Sequence, residues 1–212
     1  MVPLNPDLIP TDCAVLVMAK APLPGRAKTR LIPALGAEGA AALAARMLDH
    51  ALTEALAASL GPVTLCAAPQ ASHPAFAGLA QAGRIGIIGQ GEGDLGARMQ
   101  RAFAHALSRH AGALLIGTDA PALDAAVLRA AHAALTGHDA VVVPAHDGGY
   151  VLIGLRRIEP RLFADVPWST PQVMALTRER LRGAGLRWAE LPPLHDVDEP
   201  ADLVHLAGRG WL

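Results

Sequence analysis

Four cations, Lys20, Arg26, Lys28 and Arg30, fall within eleven positions of one another, and no acid interrupts them. Arginine offers forked donors to phosphate oxygens and lysine a point charge, so this segment reads either as a phosphate-binding loop or as a solvated basic loop. Gly25 lets backbone approach a ligand closely, and Pro22 and Pro24 stiffen the chain around it. Gly25-Arg26-Ala27-Lys28-Thr29 is not a P-loop, since the paired glycines and the Gly-Lys step are missing. A second set of residues is acidic: Asp119 in Gly117-Thr118-Asp119-Ala120-Pro121, and Asp196 and Asp198 in Asp196-Val197-Asp198-Glu199-Pro200. Hard divalent cations bind carboxylates and phosphates together. The i, i+2 spacing puts Asp196 and Asp198 on one side of an extended segment, where they could clasp one ion. The plain alternatives are a turn role for Asp119 and an N-cap for Asp198. Asp147-Gly148-Gly149-Tyr150 is a glycine-rich turn with an acid at its front. It is either a hairpin turn or an acceptor or sugar pocket, with Asp147 as hydrogen-bond acceptor or general base and the single tyrosine as a wall. Trp168, Ser169 and Thr170 read first as a capping element and then as pocket lining.

Other signals are weaker. Gly91-Glu92-Gly93-Asp94-Leu95-Gly96 fits G-x-G-x-x-G, but Glu92 and Asp94 put negative charge where a pyrophosphate would sit. The expected role is a tight turn with Asp94 as helix N-cap, able to line a base or ribose pocket. The nine histidines show no zinc spacing, and no G-x-S-x-G nucleophile motif is present. Cys13 and Cys66 fall in apolar runs and are expected to be inert core thiols.

The elements that must position these residues alternate. Apolar runs at 13–18, 63–66, 85–88, 113–116, 140–143, 151–155 and 188–191 read as strands. Alanine-rich stretches at 37–60, 94–110, 124–135 and 170–181 have helical spacing. Apolar strands alternating with helices imply a mostly parallel sheet covered on both faces. In such sheets ligands gather outside the carboxyl ends of strands, which is where the cations and acids above fall. Thr170 and Pro171 are expected to open the last long helix. The strand at 151–155 follows the Asp147-Gly148-Gly149 turn too closely for a crossover helix, so it is expected to run antiparallel.

With 212 residues, 52% hydrophobic and 17% charged at a mean hydropathy of +0.31, the chain is a folded domain and not a disordered one. Its net charge of -1 excludes a global basic field for nucleic acid, and 3% aromatic content argues against base stacking. The expectations are one domain over 1–212 with a loose segment at 1–12, no membrane contact, and a cytoplasmic location. Alanine-rich helix faces serve core or interface equally, so no oligomeric state is assigned.

In order along the chain, 17–31, 89–99, 117–121, 144–155, 167–170 and 196–203 resemble the radical-SAM- and selenodomain-associated bacterial transferases. Some of these are labelled arsenosugar-biosynthesis glycosyltransferases. That family resembles the nucleotide-diphospho-sugar transferase (GT-A) superfamily. It also resembles nucleotidyltransferases such as the phospholactate guanylyltransferases, which share G-x-x-K-T-R and D-x-D-x-P-x-D-L. The resemblance implies a GT-A/Rossmann-like mixed sheet and a nucleotide held by Ala19, Lys20, Pro22, Gly25 and Asp94, with Arg26, Lys28 and Arg30 near its phosphates. It also implies Mg²⁺ or Mn²⁺ on Asp119, Asp196 and Asp198, with Lys20 and Asp147 catalytic. Asp147, Gly148, Gly149, Tyr150, Ser169 and Thr170 would form a second-substrate pocket. The implied reaction is glycosyl transfer from a nucleotide sugar to a small acceptor. The alternatives are nucleotidyl transfer with pyrophosphate release and a non-catalytic nucleotide-binding domain. Ala120 stands where relatives often carry Cys or Ser, and the Asp-x-Asp of many glycosyltransferases is absent at Asp119.

Overall fold

A computed structural model describes residues 12–81, 83–207 and 211. The expected loose segment at 1–12 lies, apart from Asp12, outside the described residues. The apolar runs form strands β1 (Cys13–Lys20), β2 (Val63–Ala68), β3 (Ile85–Gly89), β4 (Gly112–Ile116), β5 (Ala140–Pro144), β6 (Tyr150–Leu155) and β7 (Trp188–Glu190). The alanine-rich stretches form α1 (Ile32–Ala58), α3 (Leu95–Leu107), α4 (Ala125–Gly137) and α5 (Val173–Gly183), and a short α2 (Ala77–Gln81) joins them.

The strands make one seven-stranded sheet in the order β3-β2-β1-β4-β6-β5-β7. β1 pairs parallel with β2 and β4, β2 with β3, and β5 with β7. β6 runs antiparallel to both β4 and β5, as its short connection required. Alternate strand residues feed two separate cores. Val15, Val17, Leu65, Leu114, Ile116, Val141 and Val143 face Leu48, Leu52 and Ala55 of α1 and Leu128, Ala131 and Leu135 of α4. Ala14, Leu16, Cys66, Leu115, Val142 and Ile153 face Met99 and Phe103 of α3 and Met174 and Leu181 of α5. Period-two side chains with both faces buried are what make these strands read as continuous apolar runs.

Several local expectations change. α1 begins before residue 37, with Pro33 in its first turn and a non-helical Gly36 (φ 70°) interrupting it. The stretch 29–58 is, by length and composition alone, apolar enough to cross a membrane. Alanine supplies that hydropathy, while the larger side chains Leu43, Met47, Leu48 and Leu52 are buried in the fold. Asp94 and Asp124 cap α3 and α4, accepting from the backbone N–H of Ala97 and Val127. The Thr170 hydroxyl donates to the Pro167 carbonyl at 2.7 Å and accepts the Gln172 N–H at 3.4 Å, but α5 itself starts only at Val173, with Gln172 at its N-cap and no side-chain cap, and the Gly148 carbonyl accepts from the Met174 N–H.

Candidate active site

The topology decides which side chains can meet. Six strands point the same way, so the exits of β1, β3, β4, β5 and β7 share one edge, and reversed β6 begins there. Lys20 ends β1, Gln90 follows β3, and Gly117-Thr118-Asp119 follows β4. The β5–β6 turn carries Asp147, and the chain after β7 returns through Asp196 and Asp198. Backbone bonds tie that return to the edge: Leu194 N–H to Pro144 O at 3.0 Å, His146 N–H to Leu194 O at 3.2 Å, and Val197 N–H to Asp119 O at 2.9 Å.

One cavity of about 720 Å³ opens along this edge. Lys20, Arg26, Lys28 and Arg30 line it together with Asp94, Asp119, Asp147 and Asp198, and with Gly149, Tyr150, Ser169 and Thr170. The cationic loop and the acids, remote in sequence, therefore face one space. Ala19, Pro22, Gly25, Gly148 and Asp196 do not line it. The Ala19 carbonyl instead accepts from the buried Gln90 amide at 3.1 Å. Gly148 shapes the wall from behind. At φ +92° it adopts a backbone that side chains rarely take, and a Cβ there would lie 2.4 Å from the Pro171 carbonyl oxygen. Asp196 sits half-buried, its carboxyl held above the ordinary Asp value by burial first, then by the charges of Asp147, Asp119 and Asp202.

At the centre of a charged cluster in the lining is Lys28. Its Nζ lies 2.5 Å from Asp119 Oδ1, 2.5 Å from the Val197 carbonyl oxygen and 3.7 Å from Asp198 Oδ1. Arg30 donates to the other Asp198 oxygen at 2.8 Å. Asp198 is thus committed to cations and not to a cap; Glu199 and Asp202 form the capping box of the following 3-10 turn. Among the described residues, the side chains of Lys20 and Arg26 have no hydrogen bond or ion pair, although both residues line the cavity. Asp147 is exposed and oriented by its own turn, accepting the Gly149 N–H at 2.8 Å.

Another part of the lining is aromatic. Tyr150 meets Trp168 edge to face at 6.5 Å between centroids, and burial raises its hydroxyl pKa, so it stays protonated. Trp168 lies against Gly96, where an added Cβ would fall 2.1 Å from the Phe163 carbonyl and 3.0 Å from the indole nitrogen. Only glycine allows α3 to approach that wall. The G-x-G-x-x-G segment at 91–96 therefore has a packing role at its last glycine and a cavity-lining role at Gly93 and Asp94.

Gln90, Arg98 and Met99 line the cavity and were not singled out from the sequence. Gln90 is 7% exposed, its amide donating to Ala19 and Cys66 carbonyls, while Arg101 donates to its backbone carbonyl. It thereby clamps the exits of β1, β2 and β3. Its signal was legible: a polar residue directly after a strand, ahead of a glycine turn, on the ligand edge.

Among the described residues, no three His, Cys, Asp or Glu side chains are grouped to hold a metal ion, so the expected set of Asp119, Asp196 and Asp198 is not brought together as one ligand group. The oxygens around Lys28 Nζ nevertheless come from two carboxylates and a carbonyl, the donor chemistry of Mg²⁺ or Mn²⁺. The residues present fit a divalent ion once Lys28 is counted as their present partner.

Comparison with known proteins agrees with the architecture. No curated protein sequence matches the chain. A crystal structure of a candidate nucleotide-diphospho-sugar transferase from Desulfovibrio desulfuricans G20 is 30% identical, covering 93% of this chain and 87% of its own, with a TM-score of 0.83. A CMP:2-keto-3-deoxy-manno-octonic acid synthetase complexed with CTP shares the fold at 13% identity, 92% and 96% coverage and a TM-score of 0.56. Rv0371c from Mycobacterium tuberculosis H37Rv, in complex with manganese, does so at 19% identity, 92% and 97% coverage and a TM-score of 0.50. The family model described as "Uncharacterized protein conserved in bacteria (DUF2064)" matches residues 47–170. That match spans more than half of the chain, and the chain accordingly belongs to the DUF2064 family, with the fold of nucleotide-diphospho-sugar transferases and nucleotidyltransferases.

Proposed function

We propose that the protein is a cytoplasmic, metal-dependent transferase that moves a glycosyl group from a nucleoside-diphosphate sugar to a small acceptor. One observation carries the reading. The side chains of Lys20 and Arg26, lacking partners among the described residues, share one cavity with Asp119 and Asp198 and with Tyr150, Trp168, Ser169 and Thr170. The charged groups suit a diphosphate, and aromatic faces with hydroxyls in the same lining suit a sugar ring. The nucleotide-diphospho-sugar transferase relative supports this donor class.

In this reading Lys20 and Arg26 stabilise the charge that develops on the departing diphosphate, in a partly dry cleft where such contacts are stronger than in water. Asp119 and Asp198, with Asp196 beside them, hold Mg²⁺ or Mn²⁺, which when bound supplies Lewis-acid neutralisation of the diphosphate. The manganese-bound relative supports that ion class. Asp147, fixed by the Gly149 N–H, accepts the proton of the acceptor hydroxyl. Asp94 and Gly93 form the rim toward the nucleoside. The finer resemblance to radical-SAM- and selenodomain-associated transferases belongs to this proposal and adds a small, soluble acceptor.

A second reading, nucleotidyl transfer, is favoured by Gly25-x-x-Lys28-Thr29-Arg30 and by the CTP-bound relative. The two are separated by products. Nucleotide sugars and nucleoside triphosphates are each incubated with Mg²⁺ and an acceptor panel. Nucleoside diphosphate released from sugar donors supports glycosyl transfer. Pyrophosphate released from triphosphates, with no release from any sugar donor, would replace it with the second reading.

A further inference from the structure

The chain contains only two lysines among its 18 cationic residues, Lys20 and Lys28, and both line the same cavity. Everywhere else positive charge is carried by arginine. A lysine ammonium is a compact point charge, whereas a guanidinium is a broad planar fork. Lys28 uses that compactness. Its backbone takes the left-handed region (φ 48°, ψ 44°), and its side chain is 6% exposed. Its ammonium has three protons, and it meets three oxygens: Asp119 Oδ1, Asp198 Oδ1 and the Val197 carbonyl.

We propose that Lys28 is the resident cation of a divalent-metal site, holding the Asp119–Asp198–Val197 oxygens together and yielding them to a divalent ion. This rests on the reading of those acids as metal ligands. The oxygens that converge on Nζ are hard donors, and among the described residues Asp119 pairs with no other cation. Arg30 pairs with the outer oxygen of Asp198 and is 57% exposed, so it leaves the cluster open. Two cations cannot share a cluster this small without strong repulsion, so Lys28 must leave as the ion enters. The displaced ammonium then needs an anion. The phosphates drawn to Lys20 and Arg26, on the same cavity, supply one.

Metal and polyphosphate thereby become coupled ligands. Each lowers the cost of binding the other, and the coupling is reciprocal. Lys28 also keeps Asp119 and Asp198 compensated when no ligand is bound, so the site is held in shape without a metal. Lys28 acts on the metal through the ligands it occupies and is a positioning residue for it.

The test uses Mn²⁺ alone, followed by electron paramagnetic resonance, on wild type, Lys28→Met and Arg30→Met. Both substitutions remove one positive charge beside Asp198, but only the first removes the occupant of the cluster. Lys28→Met should bind Mn²⁺ at least tenfold more tightly than wild type, and Arg30→Met should shift affinity less than threefold. Equal gains in the two variants, or no gain for Lys28→Met, would overturn the proposal. An independent arm needs no variant. Acetic anhydride labelling of wild type, read by mass spectrometry, should modify Lys20 readily and Lys28 slowly, and saturating Mg²⁺ should speed Lys28 labelling at least fivefold. Unchanged protection of Lys28 under saturating Mg²⁺ overturns the proposal even if Lys28→Met fails to fold. Neither arm contains a nucleotide, so failure of the transferase reading leaves both results interpretable.

Discussion

Lys20 and Lys28 differ by eight positions and by everything in their surroundings. Lys20 is exposed and unpaired among the described residues, while Lys28 is enclosed by acids. Lys20→Met should therefore cost about 10²- to 10³-fold in kcat, as other losses of a charge-stabilising donor do, with the folded state unaffected; steady-state kinetics beside urea unfolding checks both halves. Asp119→Asn keeps an oxygen for Lys28, so stability should change by no more than about 1 kcal/mol. The same variant should lose the rise in Tm that Mg²⁺ gives the nucleotide-bound wild type. A full metal response in Asp119→Asn would remove that residue from the site. The thiols behave oppositely to the pocket groups. Burial pushes both Cys13 and Cys66 up to about 12, Cys13 with help from the Asp12 charge. At pH 8 both stay protonated, so native protein should react with neither Ellman's reagent nor iodoacetamide until the pH nears that raised value, whereas urea-unfolded protein reacts at once. What was legible at this scale was residue type and place: cations after β1, acids after β4 and β7. The Lys28–Asp119 contact, across 91 positions, was not, because spacing along a chain carries no information on pairing between distant loops. Gln90 differs again: its place directly after β3 and ahead of a glycine turn was legible, whereas its use, tying strand exits together through buried amide bonds to the Ala19 and Cys66 carbonyls, depends on partners 71 and 24 positions away.

The elements divide by how local their causes are. Strands β1 to β7 followed from apolar runs, and the Asp94 and Asp124 caps from side chains that satisfy helix N–H groups nearby. α5 did not start where Thr170 and Pro171 suggested, since a carbonyl from the β5–β6 turn satisfies its Met174 N–H. That partner is 26 positions away and invisible to a capping rule. α2, of five residues, is too short to show a period. Phe103 offers the clearest test of how α3 is held. It is fully buried and stacks on Phe163 at 5.7 Å. Phe103→Ala should lower unfolding free energy by about 3–5 kcal/mol in urea titrations. A loss below about 1 kcal/mol would mean that α3 is not packed on this face as described.

For the whole molecule, the parallel sheet covered on both faces followed from sequence, as did the reversal of β6. The order β3-β2-β1-β4-β6-β5-β7 did not, because which strands neighbour each other depends on crossovers and not on the strands' own residues. That order is what brings the exits of β1, β4, β5 and β7 to one edge and makes a single cavity out of segments spanning residues 18–198. The account stands on this cavity gripping a nucleotide's phosphates with Lys20 and Arg26. Isothermal titration of nucleoside diphosphates into wild type and the Lys20→Met/Arg26→Met double variant, each with Mg²⁺, measures that grip. The account predicts binding to wild type that weakens at least tenfold in the double variant; equal affinity in the two proteins would contradict it.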